Sequence, residues 1–120
     1  MRAILIDPFK ESVTAIETKA GLDDLYEILK CDLITVIRWD KGNALIIDDE
    51  GLLLDKEDQE YWWVSGYDQP FAGRGIIIGD SYGENKSTDL KIEDIVPLIS
   101  FPDKDGIDPQ SYIKWEITTF

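Results

Sequence analysis

With 120 residues the chain has room for one hydrophobic core and not a second. Its 43% hydrophobic and 11% aromatic content is too apolar for a disordered segment, even at a net charge of -13. That charge, 25 acidic against 12 basic residues with no basic stripe to reverse it locally, repels phosphate backbones, so direct nucleic-acid binding is not expected.

The plainest use of the charge is solubility through self-repulsion; the sharper one is attraction to a basic protein surface. A single cysteine, Cys31, rules out an internal disulfide and suits a reducing cytoplasm. The apolar run at the N-terminus is too short for a secretory signal, and no run is long enough to span a bilayer, so the expectation is a soluble cytoplasmic protein away from membranes.

In chain order, Arg2 to Ile6 is a short apolar run closed by Asp7-Pro8, and Ser12 to Thr18 is rich in β-branched residues. Two strands joined as a hairpin are expected. From Leu22 the period changes: Leu22, Leu25, Tyr26 and Leu29 line one face of a helix, with Asp23 and Asp24 in its first turn and Lys30 in its last. Leu33 to Trp39 and Ala44 to Ile47 flank Asp40-Lys41-Gly42-Asn43, which predicts a second hairpin. Its near-continuous apolar character asks for cover on both faces.

Leu52 to Leu54 reads as a short strand, Asp55 to Glu60 as a charged connector, and Tyr61-Trp62-Trp63-Val64 as a strand. Adjacent strand residues point to opposite faces, so either one of Trp62 and Trp63 lies in the core and the other nearer the surface, or both are covered. Ile76 to Ile78 reads as a buried strand and Asp80 to Ser87 as a polar loop. The second helix, about 91–99, must be short or kinked because of Pro97. After a turn-rich stretch from Pro102 to Pro109, Tyr112 to Thr118 alternates as a half-buried strand. Hairpins with few helices give an α+β fold: a small, mostly antiparallel sheet carrying one clear helix, about 22–30, and the kinked one.

Candidate chemistry is sparse. Asp48-Asp49-Glu50 offers the oxygen ligands that hard cations take, but neighbouring strand residues face apart, so the cluster reads as an acidic turn and no metal or cofactor is expected. Asp103 to Asp108 fails as a calcium loop, since Phe101 and Tyr112 stand where its first and last acidic ligands belong. Gly73, Gly75 and Gly79 precede or end their strand, where a dinucleotide fingerprint needs glycines opening a helix. Without histidine, histidine-dependent triads and Cys-His pairs are excluded.

Several pieces together resemble a known family: Ala3 to Pro8, the Leu25 to Leu29 helix, Cys31-Asp32, Asp48-Asp49-Glu50-Gly51-Leu52-Leu53, and the Gln69-Pro70-Phe71-Ala72-Gly73-Arg74-Gly75 turn leading into Ile76 to Gly79. The chain is similar to the proteins catalogued as domain of unknown function 3846, small proteins of bacteriophages, plasmids and their bacterial hosts. The likeness runs from Met1 to about Phe101, which leaves 102–120 as a C-terminal extension of one domain, 1–120. It carries over no catalytic residue. It implies the company of mobile elements, whose accessory proteins often interfere with host machinery.

Two functions of different class follow. One is a non-catalytic protein binder or inhibitor of a host protein, using the acidic surface, including Asp48, Asp49 and Glu50, and an exposed aromatic among Trp39, Trp62, Trp63 and Tyr67. The other is a small-molecule binder, such as a sponge for a nucleotide signal, with Arg38 and the Gly73-Arg74-Gly75 turn meeting phosphate and a tryptophan stacking a base. An enzyme ranks third, and the expectation is none. Oligomeric state is not legible.

Overall fold

The computed structural model describes residues 1–39 and 42–112. The connector Asp40-Lys41 and the expected final strand beyond Tyr112 lie outside the described residues.

The first hairpin forms as the pattern predicts. β1 (Arg2–Asp7) pairs antiparallel with β2 (Ser12–Glu17), from Arg2 opposite Glu17 to Asp7 opposite Ser12. β3 (Ile34–Trp39) and β4 (Asn43–Asp48) form the second hairpin. β7 (Gly75–Ser81) joins the two, taking β1 on one side and β4 on the other, both antiparallel. The order is β2-β1-β7-β4-β3, and β8 (Glu84–Lys86) pairs with the far end of β7. The fold is α+β.

Strand alternation sorts the apolar residues of this sheet into two cores. Ala3, Ile46, Ile76 and Ile78 meet Leu25 and Leu29 of α1 (Leu22–Leu29) on one face. Ile4, Ile6, Leu45 and Ile77 meet Trp62, Val64, Phe71 and Ile95 on the other. Trp62 and Val64 belong to β5 (Tyr61–Val64), the middle of a small second sheet between β6 (Phe71–Ala72) and β9 (Ile99–Ser100). Ile95 ends α2 (Ile92–Ile95). The inner strands β1, β7 and β4 are thus covered on both faces, which is why they read as continuous apolar runs, whereas β3, which reads the same way, lies at the sheet edge with Val36 60% exposed. Ile107 closes a third cluster with Tyr61 and Ala72 on the outer side of the small sheet.

Four expectations need correction. Leu22 is 58% exposed and leaves the helix face to Leu25 and Leu29, with Ile28 packed beside them. Lys30 lies just past the last turn, as a left-handed cap at φ 54°. Leu52 to Leu54 is not a strand: the Asp48 carboxylate accepts the Glu50 N–H, the Glu50 carbonyl accepts the Leu53 N–H, and these successive turns wind Gly51–Leu53 into a 3₁₀ helix. Asp80 to Ser87 is not a plain loop: Tyr82 and Gly83 both have positive φ, 51° and 85°, the geometry of a two-residue hairpin turn that matches strand twist. Pro97 has the expected effect, since α2 stops at Ile95 and gives way to a 3₁₀ turn, Val96–Leu98.

Candidate functional site

The two arginines raised as phosphate contacts do not meet. Arg38 is level with Ala44 and, across β4, with Ile78 of β7. Arg74 immediately precedes β7, so two strand spacings and four residues separate them, roughly 15 Å. Arg74 is also engaged: its Nε lies 3.4 Å from Asp7 Oδ2, and its guanidinium sits 4.5 Å over the Phe9 ring. Asp7 is buried, and its Oδ1 accepts the Phe9 N–H at 3.0 Å, so this arginine neutralises a carboxylate held inside the β1–β2 turn. Gly75 beside it has its own task, because a Cβ there would stand 2.7 Å from Trp62 Cζ2.

The acidic turn is likewise tied to its own backbone. Asp48 Oδ1 accepts the Glu50 N–H at 2.9 Å, Asp49 Oδ1 accepts the Thr35 hydroxyl, and Glu50 is exposed. Asp48 shares a cavity of about 170 Å³ with Arg74 and Lys30, and a second of about 220 Å³ with Asp49, Thr35 and Phe71. Among the described residues no three histidine, cysteine or carboxylate side chains are grouped to hold a metal ion. Burial pushes the Asp48 carboxyl above its ordinary value of 3.8, and the charges of Asp49 and Asp32 add to this against the pull of the Glu50 N–H. Burial, followed by the Asp48 charge, pushes the Cys31 thiol up to about 11, which keeps it protonated and a poor nucleophile.

A raised carboxyl pKa in the fold has a definite sign. Below the ordinary value both states are protonated and nothing is lost; as pH rises through the folded value, the fold must carry a charge that the unfolded chain carries more easily. Asp48→Asn, which keeps the oxygen that accepts the Glu50 N–H, is therefore expected to raise Tm near pH 7. The gain should shrink to nothing near pH 3, as thermal melts at both pH values would show. An equal gain at both would contradict the assignment.

The tryptophans divide as alternation requires. Trp62 is 0% exposed; its Nε1–H donates to the Gly73 carbonyl at 2.9 Å, and its ring lies 4.7 Å from Phe71. It cannot touch a partner. Trp63 is half-buried on the other face of β5, edge-on to Tyr112 at 6.2 Å.

Trp39 and Tyr67 come together. Trp39 ends β3 with its ring on the small-sheet side, 8% exposed, and Tyr67, 37% exposed, follows the turn after β5. The rings are near-parallel, 17° apart with centroids at 6.3 Å, and the Tyr67 hydroxyl donates to the Arg38 carbonyl at 3.4 Å. Tyr67 also meets Phe71 edge-on at 5.4 Å, so four rings run from this surface to Trp62 in the core. Trp39 and Tyr67 form one wall of a pocket of about 330 Å³. Val64 and Ile95 also line it, with Leu90, Leu98 and the exposed Asp94. A concave, mostly apolar pocket with one charged group is the form ligand and anchor sites take.

The profile of the family described as a domain of unknown function, DUF3846, matches residues 1–100. The chain belongs to that family. An uncharacterized protein of Sinorhizobium fredii (strain NBRC 101917 / NGR234), y4iR, is 34% identical to it over 96 residues, which covers 77% of this chain and 58% of that relative. The chain thus spans less than two thirds of the length of that relative. No solved structure matches it.

Every residue proposed from the sequence for binding, and all of the Trp39–Tyr67 pocket, falls within the DUF3846 match. Sequence reasoning found the two aromatic residues and missed the opposite wall. That wall is not one helix face: Leu90 precedes the extended cap residue Lys91, Asp94 lies in α2, and Leu98 ends the 3₁₀ turn after it, so no single periodicity marked it in the sequence. Across the described part of this DUF3846 chain, no helix is long and apolar enough to cross a membrane.

Proposed function

We propose that this DUF3846 chain is a non-catalytic binding module that docks a basic protein surface, acting as an accessory or inhibitory factor of a mobile element in its host's cytoplasm. The observation that carries the reading is the Trp39–Tyr67 pocket with Asp94 at its rim, on a chain of net charge -13. Aromatic side chains in pockets dominate binding energy, and complementary charge speeds encounter and selects the partner. Tyr67 is already held by Trp39, Phe71 and the Arg38 carbonyl, so little conformational freedom is lost when a partner covers it. The nucleotide reading has no comparable support, since Arg38 and Arg74 offer no common anion site and Arg74 is paired with Asp7.

The test is capture of host proteins on immobilised wild-type chain and on Tyr67→Ala, at about 0.1 M and about 0.5 M salt. A partner held at low salt, weakened at high salt and weakened by roughly 30-fold on Tyr67→Ala is expected, the size of an interface residue worth about 2 kcal/mol. Capture of no partner, or of one indifferent to both salt and the substitution, would count against the reading.

A further inference from the structure

We infer that the pocket between the Trp39–Tyr67 pair and α2 receives one arginine side chain from a basic segment of the partner, with its guanidinium between the Tyr67 ring and the Asp94 carboxylate. This rests on the docking reading and adds the identity of the anchor. The pocket has two chemistries in sequence. Its body is apolar, with the buried Val64 and Ile95 beside the aromatic pair, and the exposed Asp94 supplies a full negative charge. An aliphatic stem with a cationic head fits that order, as long basic side chains lay their methylenes on apolar surface and keep the charge at the rim.

An apolar anchor fits less well, because covering the pocket with it would take water from the Asp94 carboxylate and give nothing in return. Among the described residues Asp94 takes part in no salt bridge, so its charge is available to a partner. Arginine is favoured over lysine because its flat, weakly hydrated guanidinium stacks on an aromatic face while donating in-plane hydrogen bonds to a carboxylate. The surroundings agree on balance: the segments that form the rim carry Asp68, Asp89 and Glu93, all exposed, against Lys91 and Arg38. A basic segment is attracted there, and an acidic one is repelled.

The probe is a short lysine-glycine peptide with one central arginine, followed by amide and indole NMR shifts on the full chain. The same peptide with citrulline, which keeps the shape and removes the charge, is the comparison, and free arginine amide is a third arm. Shifts centred on the Trp39 indole N–H, Tyr67 and Asp94, with the citrulline peptide about tenfold weaker, are expected. Asp94→Asn should weaken the arginine peptide by a similar factor and leave the citrulline peptide nearly unchanged, with Tm and circular dichroism confirming that the exposed substitution leaves the fold intact. Equal affinity for the two peptides, or shifts centred on the acidic turn at Asp48, would overturn the inference. Free arginine amide binding as tightly as the peptide would overturn the protein source in favour of a small amine. If the peptides fail while salt-sensitive capture sensitive to Tyr67→Ala stands, the arginine anchor is wrong and the docking module survives.

Discussion

Trp62→Ala is expected to lower the unfolding free energy by about 3–5 kcal/mol, which is comparable to much of the stability of a small domain. The indole is fully buried between the two sheets and packs against Phe71. Gly75 is kept free of a side chain to make room for it, so removing the ring leaves a cavity whose walls cannot easily close. Its N–H also satisfies the Gly73 carbonyl in the turn before β7. Trp62→Phe should retain part of the packing and lose that hydrogen bond, for an intermediate loss. Urea melts would order the three proteins as wild type, Trp62→Phe, Trp62→Ala. A loss below about 1 kcal/mol for the alanine variant would mean that the two sheets do not share this core.

The second large effect concerns Arg74. Arg74→Met is expected to cost about 1–3 kcal/mol, because it leaves the buried Asp7 carboxylate without its cation. The methionine keeps a chain that can lie against Phe9, so the loss reports the charge more than the packing. Asp7→Asn added to Arg74→Met should recover part of it, since no uncompensated charge then remains buried. If Arg74 is instead held for a phosphate ligand, the single variant should melt like the wild type.

The Arg74–Asp7 pair is not legible from local sequence. The turn from Gln69 to Gly75 was legible as a turn, and a lone arginine between two glycines suggested an anion site. Its partner, Asp7, is sixty-seven residues earlier, and only the β1–β7 pairing brings them together. Pairings between neighbouring strands were legible because short connectors leave few choices, as in β1–β2 and β3–β4. The insertion of β7 between β1 and β4 was not, since three apolar strands of similar length can be ordered in several ways. The need for cover on both faces, read from the second hairpin, holds for β4, which α1 and the small sheet cover, and fails for β3 because an edge strand leaves Val36 in solvent. The β7–β8 hairpin was hidden for a local reason: its turn is Tyr82-Gly83, and a tyrosine at positive φ is a weaker sign than asparagine. In the site, Trp39 and Tyr67 could be nominated as exposed aromatics, but their stacking depends on the turn after β5 folding back over the end of β3.

The proposed working surface is the Trp39–Tyr67 pocket, with the acidic and glycine turns assigned to the fold. The most direct measurement is the dissociation constant of the captured partner for Tyr67→Ala, Asp94→Asn and Glu50→Gln, compared side by side at temperatures well below their melting points. About tenfold or greater weakening is expected for the two pocket variants, and an unchanged constant for Glu50→Gln. Weakening confined to Glu50→Gln, with the pocket variants binding like the wild type, would contradict it.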